Sequence, residues 1–193
     1  SDEFTSFCVA WFRKSKRYSL KSIPGCFDRF FTLFVVYNKL YSHSAIELAK
    51  NGQITLDAHS YPPDRLSATE YVLRVLPSQE MIRSIQMNAH AAYALEQLKQ
   101  ILLAGEFNII LTGPDGSPNP NRDRELCDQL QSQAPEDVAL GILRTLYHIR
   151  CNLFHGHKGF ADAQLRILAP VTRLLESVST QLYEHLGPSR RQL

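Results

Sequence analysis

From Cys26 to Lys50 the apolar residues return every three or four positions, and that period dictates a long amphipathic helix. Phe27, Phe30, Phe31, Phe34, Tyr41, Ala45 and Leu48 share one stripe, and Asn38 is its polar member. Asn38 either faces a gap at the surface or hydrogen-bonds a buried polar partner. A helix with so aromatic a face is stable only when other elements cover that face. The stretch therefore commits the chain to helices packed on helices around a shared core.

The rest of the chain carries the same period. Ser78 reads as the cap of a second long helix that runs through Ile82, Ile85, Ala89, Ala92, Lys99 and Leu103, with Gly105 ending it. Pro135, Glu136 and Asp137 open a third, with acids in its first turn. Its buried stripe is Ala139, Ile142, Leu143, Leu146, Ile149 and Leu153. A fourth runs from about Asp162 to Leu186, with Pro170 bending it and Gly187-Pro188 closing it. Short helices are expected over Ala68 to Leu76 and Arg124 to Ser132, and a short one before Phe12. Pro24-Gly25 and Asn51-Gly52 read as punctuation on either side of the first long helix. Residues 53–59 read as a brief strand or loop, 107–111 as a brief strand or an extension of the helix before it, and 112–124 as an exposed loop rich in Pro, Gly and Asn.

With 193 residues, 44% of them hydrophobic, the chain can bury a real core in one domain. The expected organisation is an N-terminal extension over 1–25, a helical domain over 26–187 with an insertion at about 104–135, and a flexible basic tail over 188–193. Cys8, Cys26, Cys127 and Cys151 form no C-x-x-C pair, which argues against a zinc knuckle or a disulfide framework and for reduced thiols in the cytoplasm. The start carries Asp2 and Glu3 and no long apolar run, so no secretory leader is expected. The longest apolar run, Phe30 to Tyr37, is interrupted by Thr32 and is far too short to span a membrane. The net charge of +2 does not by itself imply nucleic acid. Basic residues do cluster, however, at Arg13 to Lys21 and again around Arg144, His148, Arg150, His155, His157 and Lys158.

The second cluster contains the chemistry. Arg150 is four residues after Leu146 and three before Leu153, so it shares the apolar face of the third long helix. A guanidinium there must be paired or open onto a polar cleft, and in a cleft its fork of donors suits an oxyanion such as phosphate. On an unbroken helix His155 would sit about 140° away from Arg150. Gly156, as a left-handed cap, ends the helix and turns His155 back over its last turn. Histidine titrates near neutrality and can take or give a proton there. Arg150 paired with a core carboxylate and His155 capping helix carbonyls is the structural alternative. His148, His155 and His157 fit no common metal spacing, and no metal or other cofactor is expected.

Arg150-Cys151-Asn152-Leu153-Phe154-His155-Gly156 resembles the Arg-x4-His motif of the HEPN superfamily (higher eukaryotes and prokaryotes nucleotide-binding), which spans the end of the third helix and the turn into the fourth. The helix around Arg29 to Tyr41 is similar to the aromatic-rich first core helix of bacterial members. The resemblance implies an all-α, four-helix up-down bundle of HEPN type, here with extra short helices and an inserted loop. It also implies a homodimer with a composite active site. Active members are metal-independent endoribonucleases that direct the RNA's 2′-hydroxyl at the adjacent phosphorus. On this chain the resemblance makes His155 the proton-transfer group and Arg150 the holder of the scissile phosphate. Asn152, Asn38, Gly156, Lys158 and Tyr41 become positioning residues. The implied setting is a toxin–antitoxin or antiviral defence system, with RNA and an antitoxin protein as partners and no membrane. Many active members place a polar residue immediately after the arginine, where this chain has Cys151. An inert HEPN module that binds nucleotide, RNA or protein, and an all-α interaction domain without nucleic acid, are the competing readings.

Overall fold

The computed structural model describes residues 2–56, 61–112, 115–154 and 163–187. The fold is all-α, as the periodicity demands. Its helices are α1 (Asp2–Ser15), α2 (Ile23–Lys50), α3 (Asp64–Leu66), α4 (Val72–Val75), α5 (Ser78–Met87), α6 (Ala89–Leu103), α7 (Pro120–Gln131), α8 (Pro135–Phe154) and α9 (Ala163–Leu186). A π-helical turn, Ser67–Tyr71, joins α3 to α4. Strands β1 (Leu111–Thr112) and β2 (Ser117–Pro118) form a small antiparallel hairpin with Leu111 opposite Pro118.

α2 is the spine. It packs along α9, carries α1 on another side, and meets the π turn with its middle. α6 covers a further side of α9, while α8 packs on α5, α7 and the π turn. Phe30, Leu33, Val36, Tyr37 and Leu40 of α2 are fully buried. The edge-to-face rings of Phe34, Tyr37 and Tyr41 continue that row. Asn38 is exposed and accepts a hydrogen bond from Ser42 at 3.3 Å, so it lies outside the buried stripe. Tyr37 takes the core position, because steps of three and four from Phe30 through Leu33, Phe34 and Tyr37 keep to one face. At the edge of the α2–α9 contact, Arg29 Nη2 reaches both carboxylate oxygens of Glu176, at 3.0 and 2.8 Å.

Several boundaries differ from the sequence expectation, each for a local reason. α2 begins at Ile23, so Pro24 and Gly25 belong to its first turn. Ser22 caps that turn by accepting from the Gly25 amide, and proline is compatible with a first turn because its missing N–H has no partner there. A Cβ on Gly25 would meet the Ser19 carbonyl oxygen at 2.2 Å, so the close approach of the preceding loop requires glycine. At the other end Gly52, at φ 68°, lets the chain leave the helix in the left-handed region.

The expected long helix over 78–103 is two helices. Asn88 interrupts it with extended ψ of 106° and caps α6 by accepting from the amides of His90 and Ala91 at 3.1 and 3.2 Å. An asparagine side chain can replace a turn of backbone bonding, and that local competition breaks the helix without glycine or proline. Asn88→Ala is expected to lower unfolding stability by about 1 kcal/mol, read as a drop in the urea midpoint at unchanged slope.

The 1–25 extension supplies Phe4 and Cys8 to the common core. The 104–135 insertion is likewise packed in. Ile109 and Ile110 are buried, their amides donate to Asp123 Oδ1 at 3.1 and 2.8 Å, and Leu126 and Leu130 of α7 sit against α8. All four cysteines are free thiols, and burial pushes Cys8 up to about 11, the character of an unreactive packing residue. Among the described residues no helix is long and apolar enough to cross a membrane. The tail 188–193 lies outside the described residues.

Candidate functional site

Arg150 stands on the last turn of α8 with its side chain 25% exposed. Its Nη1 donates to Asp64 Oδ2 at 3.3 Å, and its guanidinium lies 5.6 Å from the ring centre of Phe34 on α2. Asp64 opens α3 immediately after Pro62-Pro63 and is the hub of the cluster. Its Oδ1 accepts from the hydroxyl of Tyr41, and its Oδ2 accepts from Tyr147 at 3.4 Å as well as from Arg150. Tyr147 shares a face of α8 with Arg150 at three-residue spacing. Arg150 Nη1 also lies 3.9 Å from Cys151 Sγ.

The electrostatics follow from that arrangement. Burial works against the charge on Arg150, but Cys151, Asp64 and Tyr41 outweigh it and hold the guanidinium protonated. Tyr41 is 2% exposed, and burial, followed by its bond to Asp64, pushes its hydroxyl well above the ordinary tyrosine range. Burial does the same to Tyr147, with Cys151 and Asp64 adding to it. Both tyrosines are therefore fixed hydrogen-bond donors at neutral pH. Asp64 is 44% exposed on its side chain, so the cluster opens to solvent on the carboxylate side. An incoming phosphate would meet Arg150 from there, in competition with Asp64.

The expected site residues divide three ways. Arg150 and Tyr41 are brought together through Asp64. Asn152 is turned elsewhere: its amide donates to the Ile109 carbonyl at 2.8 Å and fastens the inserted segment to α8. It follows Arg150 by two residues, which places it roughly 200° round the helix, so it does not position the guanidinium. Asn38, exposed and bonded to Ser42, does not reach Arg150 either. His155, Gly156 and Lys158, together with the turn that was to fold His155 back, lie outside the described residues.

Asp64, Tyr147 and Phe34 are members that the sequence reading missed. Tyr147 was accessible through its spacing from Arg150. Asp64 was not, because its partners lie 23 and 86 positions away in the chain. Among the described residues no group of three or more His, Cys, Asp or Glu could hold a metal.

A second polar group lies on the same helix. His148 is pushed down to about 4, first by burial and then by Arg122, Arg65 and Arg144 around it. Its folded value therefore lies below the ordinary histidine value, and the unfolded chain binds more protons in between. Its contribution to stability is present above about pH 6.5 and is lost as pH falls towards 4. The expected outcome is a melting temperature that declines from pH 6.5 to 4, with a shallower decline in His148→Gln. Thermal scans across that window check it.

Comparison with family models, with curated proteins and with solved structures finds no match to this chain.

Proposed function

We propose that the chain is a metal-independent endoribonuclease that cleaves RNA through attack by the substrate's own 2′-hydroxyl. The observation that carries the reading is a charged guanidinium on the last turn of α8, five residues before His155. It is held in place by Asp64 and by the Phe34 ring, yet it remains partly open to solvent. The resemblance of residues 150–156 and of the aromatic first core helix supports it.

In this reading Arg150 holds a non-bridging oxygen of the scissile phosphate and stabilises the charge that builds up there. His155 removes the proton from the 2′-hydroxyl. The 2′-oxygen bonds to the adjacent phosphorus, the bond to the 5′-oxygen breaks, and that oxygen takes up a proton. The products are a 2′,3′-cyclic phosphate and a 5′-hydroxyl. In a homodimer a second His155 would be available for the second proton transfer. A toxin or defence role, with an antitoxin protein as partner, belongs to the same proposal.

One observation favours a second reading. Arg150 already has a carboxylate partner in Asp64, and Asp64 in turn satisfies Tyr41 and Tyr147. In an inert nucleotide- or RNA-binding module this cluster would serve to clamp α8 to α3 and α2. Purified protein incubated with RNA in EDTA, beside Arg150→Ala and His155→Ala, separates the two. Cleavage that both substitutions abolish supports the enzyme. Equal cleavage by the variants identifies a contaminant, and bound but intact RNA favours the inert module.

A further inference from the structure

One residue along from the Arg150 cluster on both α3 and α8, a different pocket opens. Arg65 follows Asp64, and His148 follows Tyr147. Arg65 of α3, Arg122 of α7 and Arg144 of α8 line this pocket together with His148. Arg144 and His148 are four residues apart and so share a face of α8. Glu125 is the acid of the pocket, against three guanidinium groups. Among the described residues none of the three arginines is engaged in an ion pair.

Three like charges drawn from three elements towards one recess repel one another, and an anion in the recess would relieve that repulsion. Gln129 lines the same pocket, and its Oε1 is buried with no hydrogen-bond partner among the described residues. A buried acceptor left in this way is complementary to a hydroxyl donor. Arginine forks match phosphate oxygens, and hydroxyl groups accompany phosphates on nucleotides.

We propose that this pocket is a phosphate-binding subsite for a nucleotide or a nucleic-acid strand. Arg65, Arg122 and Arg144 grip the phosphate oxygens, and Gln129 accepts from a neighbouring hydroxyl. The pocket is distinct from Arg150, which pairs with Asp64 and stays partly open to solvent, and Tyr147 lies between them, bonded to Asp64 and lining the pocket. A strand that crosses the end of α8 would place one phosphate at Arg150 and another here. The subsite does not depend on whether RNA is cut.

Inorganic phosphate titrated into the full chain at constant ionic strength, with chloride as the control salt, tests it. The readout is the His148 ring signal followed by NMR from pH 4 to 8. The bound anion faces His148 together with Arg65, Arg122, Arg144, Glu125 and Tyr147, and should raise the histidine's midpoint by about one unit or more. A ribonucleoside monophosphate and a short 2′-O-methyl oligonucleotide, which cannot be cleaved, form the other two arms. A response to phosphate and monophosphate alone assigns the site to free nucleotides. A tighter response to the oligonucleotide assigns it to a strand.

The double variant Arg122→Gln/Arg144→Gln should weaken binding of all three probes at least about tenfold, with a melting temperature that does not fall. Arg65→Gln, at an exposed position, gives the same reading should the double variant fail to fold. Arg150→Ala and His155→Ala should retain the phosphate-induced shift. A His148 midpoint that none of the three probes moves in the unaltered chain would overturn the proposal. So would undiminished binding by folded Arg122→Gln/Arg144→Gln.

Discussion

Arg150→Ala and His155→Ala should each slow RNA cleavage by about two to four orders of magnitude, with RNA binding reduced far less. The two losses have different origins. His155→Ala removes the only group in the 150–156 motif that can exchange a proton near neutrality, so the chemical step fails while the phosphate grip persists. Arg150→Ala removes the fixed cation and leaves Asp64 without its partner, facing the phosphate in the proposed reaction. That variant should therefore lose affinity as well as rate. Arg150→Lys is expected to recover little, because a point charge cannot reproduce a fork that pairs with Asp64 and sits over the Phe34 ring. Single-turnover cleavage at saturating enzyme, beside binding of a non-cleavable strand, reads the two effects separately. Because the variants act on one step, their combination should be no slower than the slower of the two.

Phe30→Ala should cost about 3 to 5 kcal/mol of unfolding stability. Phe30 is fully buried in the N-terminal third of α2, with the ring centres of Phe31 and Phe34 within 6.0 Å of its own. The substitution leaves a cavity between α2 and its neighbours that the surrounding rings cannot close. A domain of this size is stable by only about 5 to 15 kcal/mol, so the variant should populate unfolded chain under mild denaturant. The urea midpoint, with the slope held as a check on two-state behaviour, measures it. A cost below about 1 kcal/mol would mean that α2 is not the spine of the core.

The parts of the fold that were legible in the sequence are those that one periodic stripe determines. The buried face of α8, from Ala139 to Ile149, is where the apolar spacing places it; most of the α2 stripe is buried too, but the face also takes in Leu33, Val36, Tyr37 and Leu40 and leaves Phe31 half-buried and Asn38 exposed. Local devices that replace backbone bonds were illegible. Asn88 breaks a run of good helix formers with nothing but its side chain, and the π turn at 67–71 carries no glycine or proline to announce it. Asn38 and Asn152 were drawn towards the site by the resemblance alone. In the fold one is a solvated edge and the other a staple to Ile109.

Arg150 was legible as a misplaced charge on an apolar face, and its half-buried, paired state shows why that signal works. Its counter-ion was not legible, since only the packing of α3 and α8 on the shared π turn brings Asp64 to it. The same holds for the arginines around His148, which converge from α3, α7 and α8.

The chemical identity of the RNA ends tests the central claim most directly. A purified transcript incubated with the protein in EDTA, then analysed by mass spectrometry, should give fragments that end in a 2′,3′-cyclic phosphate and begin with a 5′-hydroxyl. A single 2′-deoxy substitution at the cut site should block the cut there. Fragments with a 3′-hydroxyl and a 5′-phosphate, or cutting that persists at the deoxy position, would contradict attack by the 2′-hydroxyl.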